Sequence, residues 1–206
     1  MSSLGFRLYA ITDRRLCAPA SLVQVVQSLL DAGVKGIQLR EKDLDDTQLG
    51  PLADEIGGLC GAHGAKLFIN SRIGIALDVR ASGVHLPAHA PSVREVMERA
   101  KGRLIIGCSV HSPEEATRRE EEGADFVTFS PVYATASKPG YGPAAGIEKL
   151  AEVSRAVRIP VFALGGITPE RVAECLRAGA YGVAVMSGLF SAEGAGQRAA
   201  CYLRHF

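Results

Sequence analysis

The residues able to do chemistry in this 206-residue chain fall into short clusters. Gln38-Leu39-Arg40-Glu41-Lys42 sets a glutamine and two cations at alternate positions. That suits an anionic or heteroaromatic ligand, or equally a salt-bridged strand end. Asn70-Ser71-Arg72 is a second polar cluster and Ser109-Val110-His111-Ser112 a third. Imidazole exchanges its proton near neutral pH, which makes His111 a candidate general acid or base. His85, in Val84-His85-Leu86, reads instead as a hydrogen-bonded core histidine. A long loop after Ser130 carries Thr135, Ser137 and Lys138, hydroxyls and an ammonium able to close over a phosphate or pyrophosphate. Gly165-Gly166 and, further on, Ser187-Gly188 allow the backbone to approach an anion closely.

Eight short apolar runs must position these clusters: Arg7–Thr12, Lys35–Arg40, Lys66–Asn70, Gly83–Leu86, Leu104–Cys108, Asp125–Phe129, Pro160–Leu164 and Gly182–Met186. Runs such as FVTF and VFAL are continuously apolar, as strands covered by helices require. Between them lie segments of helical spacing, for example Leu22, Val25, Val26, Leu29 and Leu30. Ser112-Pro113-Glu114-Glu115 reads as an N-cap, a first-turn proline and a capping-box acid, and Thr168-Pro169-Glu170 opens a helix in the same way. DAGVKGIQL, EEGADFVTF and RAGAYGVAV repeat one joint, a glycine closing a helix before a strand. The pattern predicts a single-domain (β/α)8 TIM barrel over residues 1–206, with a doubly wound open sheet as the alternative. In a barrel the active site lies at the C-terminal strand ends. The loops after strands 7 and 8 are the recurrent phosphate site, which selects Gly165, Gly166, Ser187 and Gly188.

Composition narrows the function classes. A net charge of +1 gives no footprint for nucleic acid or an anionic membrane. No apolar run approaches the ~20 residues of a membrane span, and the N-terminal segment lacks the apolar core of a signal peptide. Five scattered cysteines without CxxC or zinc spacing predict reduced thiols and a cytoplasmic location. Cys108 is readable as a reactive thiol or, more simply, as a small core residue.

With these residues placed, the chain resembles the thiamin phosphate synthase/TenI superfamily over nearly its whole length. The landmarks are Tyr9-Ala10-Ile11-Thr12-Asp13, Gln38 to Lys42, Gly83-Val84-His85-Leu86, Gly107-Cys108-Ser109-Val110-His111, Thr135-Ala136-Ser137-Lys138, Ala163 to Ile167 and Ala184 to Gly188. The synthase branch joins a pyrimidine pyrophosphate to a thiazole phosphate with Mg2+, held by acids after strands 3 and 4. Ser71 and the segment Leu86-Pro87-Ala88-His89 stand in those places here. The tautomerase branch aromatises a carboxylated thiazole ethyl phosphate by moving a proton, without metal. The resemblance assigns that proton shuttle to His111. It implies a substrate site of Gln38, Arg40, Lys42, Asn70, Ser109, Thr135, Ser137, Lys138, Gly165, Gly166, Ser187 and Gly188. The expectation is a tautomerase with no cofactor, a small thiazole phosphate as its partner and a homodimer as an option. Gln38, Arg40, Lys42 and Asn70 are synthase-like, so the alternatives are a synthase, which would need Mg2+, and a non-catalytic thiamin-phosphate binder with a regulatory role.

Overall fold

The computed structural model describes residues 4–90, 92–134, 144–190 and 193–206. Eight parallel strands close into a barrel in chain order. They are β1 (Leu8–Ile11), β2 (Gly36–Leu39), β3 (Lys66–Asn70), β4 (Gly83–Leu86), β5 (Ile105–Val110), β6 (Phe126–Phe129), β7 (Val161–Leu164) and β8 (Gly182–Val185). The outer helices are α1 (Leu22–Asp31), α2 (Asp46–Ala62), α3 (Ile73–Asp78), α4 (Val93–Ala100), α5 (Pro113–Glu121), α6 (Gly146–Ala156), α7 (Pro169–Arg177) and α8 (Ala195–Leu203). β8 pairs with β1 in parallel, so the open-sheet alternative does not hold.

Side-chain alternation divides each strand between two environments. Leu8 and Ala10 of β1, Ile37 and Leu39 of β2, and Val127 and Phe129 of β6 belong to the core between strands and helices. Tyr9, Phe68, Phe126 and Phe162 belong to a second cluster inside the barrel, with Phe6. Their rings lie 5.4–6.2 Å apart and many meet edge to face, the arrangement favoured by the ring quadrupole. Glycines make room for this aromatic layer. A Cβ on Gly107 would sit 2.2 Å from the Phe126 ring, and one on Gly36 2.5 Å from Phe6. The lower barrel is therefore filled by these rings. One step up β2 to β6, the inward positions become polar, Gln38, Asn70, His85, Ser109 and Thr128, while β1, β7 and β8 present Ile11, Leu164 and Ala184.

The helix signals are realised with two corrections. Ser112 caps α5 by accepting from Glu115 N–H, but the Glu115 carboxylate reaches past the cap to His111 N–H at 2.7 Å. Thr168 precedes α7 without a side-chain cap bond. The repeated joint is as expected: Gly33, Gly123 and Gly179 have φ of +99°, +101° and +97°, the left-handed turn that ends a helix. Cys108 is a core residue of β5, and burial pushes its thiol up to about 12, so it is no nucleophile at neutral pH.

Candidate active site

The polar inward positions open into one cavity of about 420 Å3 at the C-terminal strand ends. That is ample for a small heterocyclic ester. Gln38, Arg40, Lys42, Asn70, Ser109, His111, Gly165, Gly166, Ser187 and Gly188 all line it. Thr135, Ser137 and Lys138 lie outside the described residues. The cavity also takes in Arg72, His85, His89 and Thr128. In the sequence Arg72 is marked only as part of the cluster Asn70-Ser71-Arg72, and Thr128 carries no signal of its own. The register Asn70↔His85, His85↔Gly107 and Ser109↔Thr128 brings His85 within reach of the Ser109 and Thr128 hydroxyls.

One side of the mouth is built from side chains. Gln38 is 2% exposed and donates from Nε2 to Tyr9 Oη at 3.2 Å, which fixes its amide at the barrel axis. Beside it, Lys42 has its pKa lowered by the nearby Arg40 and by burial. Two cations repelling each other in a partly dry site favour an anion between them. Arg72 stands near the same rim, donating to Leu44 O at 2.6 Å and paired with Asp46. Beneath the cations Glu41 is 4% exposed. Its Oε1 accepts from Thr12 Oγ1 at 2.6 Å, and both oxygens accept from Arg14 N at 3.2 Å. Thr12 Oγ1 in turn accepts from Arg40 N at 2.9 Å, so this buried network ties the end of β1 to the loop after β2.

That network bears on a divalent metal. Glu41 is the one carboxylate among the described lining residues, and its oxygens are already engaged by Thr12 and Arg14. The strand-3 position is Ser71, whose Oγ accepts from Asn70 Nδ2 at 3.0 Å, and the strand-4 position is His89. Mg2+ favours carboxylate oxygen in octahedral geometry. Cations, a hydroxyl and an imidazole do not supply that donor set, and Mg2+ does not fit the described lining residues.

The opposite side is built from backbone. Gly165 and Gly166 follow β7 with φ of +100° and +64°. A Cβ on Gly165 would meet Pro131 Cα at 2.8 Å, and one on Gly166 would meet Ala134 O at 2.6 Å. The glycines are thus required by the packed β6 loop as well as by the left-handed turn. Arg171 of α7 holds this turn from outside. Its Nη1 donates to Gly166 O at 2.6 Å, and its guanidinium stacks 4.3 Å from the centre of the Tyr133 ring. Tyr133 Oη donates to Glu174 at 2.5 Å and Tyr133 N to Gly165 O at 3.0 Å, closing the latch. After β8, Leu189 N–H and Phe190 N–H both turn back to Met186 O, which curls Ser187 and Gly188 against the cavity. Behind Gly188, Tyr202 Oη donates to Ile167 O at 3.0 Å and joins the two loops.

His111 stands past the end of β5, two residues beyond Ser109. Its Nδ1 lies 2.7 Å from Ser130 O. A carbonyl only accepts, so Nδ1 carries the proton, and in the neutral ring the lone pair is on Nε2. Backbone and ring are thus both held, the backbone by Glu115 and the ring by Ser130. The arrangement offers an oriented acid/base group, an anion site of cations and a glycine-lined anion site around one cavity.

Comparison with known proteins agrees with this geometry. Residues 8–189 match the family model described as thiamine monophosphate synthase. A protein of Aquifex aeolicus named putative thiamine-phosphate synthase 2 is 47% identical over 88% of this chain and 96% of its own. The thiamine-phosphate synthase of Roseiflexus castenholzii is 38% identical over 90% of this chain and 81% of its own. Among solved structures, a thiamine phosphate pyrophosphorylase from Pyrococcus furiosus superposes with a TM-score of 0.87 at 33% identity, covering 97% of this chain and 94% of that one. No helix among the described residues is long and apolar enough to cross a membrane. On the family match and these relatives, the chain belongs to the thiamine monophosphate synthase family of thiamine biosynthesis.

Proposed function

We propose that the chain is a metal-independent thiazole tautomerase that aromatises a carboxylated thiazole ethyl phosphate. The observation that carries this reading is His111, proton fixed on Nδ1 by Ser130 O, at a cavity whose one carboxylate among the described lining residues is already engaged. In the proposed step Nε2 takes a proton from one position of the non-aromatic ring system, and the imidazolium returns it at another. Nothing is released, and the ring gains its aromatic sextet. The Gly165-Gly166 and Ser187-Gly188 turns hold the phosphate, and Arg40 and Lys42 bias the site toward anions. Such a reaction asks for one positioned acid/base group and an anchor. The test is turnover of carboxythiazole ethyl phosphate with and without EDTA. His111→Ala should abolish it while the substrate still binds, and retained turnover would sink the assignment.

The second reading is the synthase itself, joining a pyrimidine pyrophosphate to a thiazole phosphate. The names of the relatives favour it over the tautomerase, and so does the set Gln38, Arg40, Lys42 and Asn70. Pyrophosphate release from the two substrates, abolished by EDTA, would establish it. Tight binding of thiamin phosphate with neither activity would instead support the regulatory binder.

A further inference from the structure

The floor of the cavity contains a histidine that neither proposed reaction uses. His85 lies inward on β4 and is 3% exposed, with its ring against those of Tyr9 and Phe126, each 5.8 Å away between centres. Its Nε2 stands 3.1 Å from Ser109 Oγ and 3.4 Å from Thr128 Oγ1. Its Nδ1 is buried and has no hydrogen-bond partner among the described residues. Burial and the nearby Arg40 push the His85 pKa down to about 3, so at neutral pH the ring carries one proton.

Two tautomers are open to it. With the proton on Nδ1, a buried N–H has no acceptor, and two hydroxyls compete for one lone pair on Nε2. With the proton on Nε2, the N–H is satisfied by Ser109 Oγ, and only a lone pair is left bare. Orphaned buried N–H groups are the rarer kind, and leaving a buried donor unmade is costly. The network therefore assigns the proton to Nε2. Ser109 Oγ then accepts from His85, and no other partner for it exists among the described residues. Its own O–H is left to donate toward the cavity that Ser109 lines, two residues below His111 on β5.

We propose that His85 is a positioning residue that holds Ser109 as a hydrogen-bond donor to an acceptor atom on the ring of the bound substrate. Recognition of the ring would then be directional, preferring a ring nitrogen or oxygen acceptor over a donor at that point. The inference rests on the proposed function only for the choice of probe, thiazole ethyl phosphate, the ring and phosphate that the ligands of both readings share.

The experiment has two arms. In unliganded protein labelled with 15N at histidine, the His85 signals, assigned by their loss in His85→Gln, should show a protonated Nε2 and a bare Nδ1. The opposite pattern overturns the proposal. In the binding arm, Ser109→Ala and His85→Leu should each weaken the probe about 10-fold, the size of one neutral hydrogen bond. The double variant should be no weaker than Ser109→Ala alone. His85→Gln, whose amide N–H can take the place of Nε2–H, should restore binding to within about 3-fold of wild type. Additive losses, or no rescue by glutamine, mean that His85 only fills space, which refutes the proposal. If His85→Leu does not fold, the tautomer and the glutamine variant decide. If the wild-type protein fails to bind the probe, the proposed function falls, and the tautomer alone decides the inference.

Discussion

The two sides of the cavity mouth are made of different material. Between β2 and β5 the lining is side chains: Gln38, Arg40, Lys42, Asn70, Ser109 and His111. Past β7 and β8 it is largely backbone, turned inward at Gly165-Gly166 and Ser187-Gly188 and braced from behind by Arg171 and Tyr202. A side-chain wall can be changed one residue at a time, with the effect confined to the few partners that each side chain holds. A backbone wall depends on what packs behind it, because a Cβ on Gly166 would collide with Ala134 O rather than with a ligand. The difference suits a division of labour in which chemistry varies on one side and the anion site stays constant on the other. This is how one barrel serves several reactions.

The comparison can be broken in four ways. The largest effect is expected on the side-chain wall. His111→Ala should lower turnover about 10^3-fold, within the range of general acid–base catalysis, and leave the dissociation constant of the phosphate ester within about 3-fold. Isothermal titration beside steady-state kinetics checks it, and a matching loss in binding would place His111 among the anchors instead. Gly166→Ala should do the reverse. A strained φ and a 2.6 Å contact cost about 1–3 kcal/mol, so binding should weaken about 10–100-fold and melting should fall by several degrees. Unchanged binding in that variant would remove the glycine turn from the phosphate site.

The third concerns pH. His85 is held neutral with its pKa at about 3, below the ordinary value near 6.5. Between those values the unfolded chain binds more protons than the folded one, so stability falls as pH falls through that window. The slope is at most about 1.4 kcal/mol per pH unit for this one group. Urea unfolding at pH 6.5 and pH 4.5 should show a steeper loss in wild type than in His85→Gln. Equal slopes would mean that the ring is protonated in the folded state. The smallest effect is expected at the brace. Arg171→Met removes the bond to Gly166 O and the stacking on Tyr133, and should raise the dissociation constant about 3–10-fold through the glycine turn alone. A change in turnover of bound substrate would show that the latch reaches the His111 side as well.

Much of this was legible in the chain. Eight apolar runs alternating with helical spacing gave the barrel because strands buried on both faces leave a continuous apolar signature. All eight strands were located, though several were read a residue or two too long at their ends. β5 instead runs on to Val110, past the expected end at Cys108. Gly33, Gly123 and Gly179 were legible because only a left-handed residue closes a helix at that joint. Glycine pairs and cations at strand ends marked the cavity, since the barrel rule turns position along a strand into position in space.

What the residues and their order determined, then, is the fold, the family and the face on which the site lies. The fold and the face follow from periodicity and local turn chemistry, and the family from the resemblance that the motifs carry. Only the tertiary structure decided which groups share a floor and what each is holding. The β4–β5–β6 register places His85 against Ser109 and Thr128, residues 24 and 43 positions away along the chain. The neighbouring ends of β1 and β2 engage the Glu41 carboxylate with Thr12 and Arg14, and those of β6 and β7 set Ala134 behind Gly166. These are contacts across a closed sheet, set by strand register, and no local pattern in a single chain encodes the partner on the neighbouring strand.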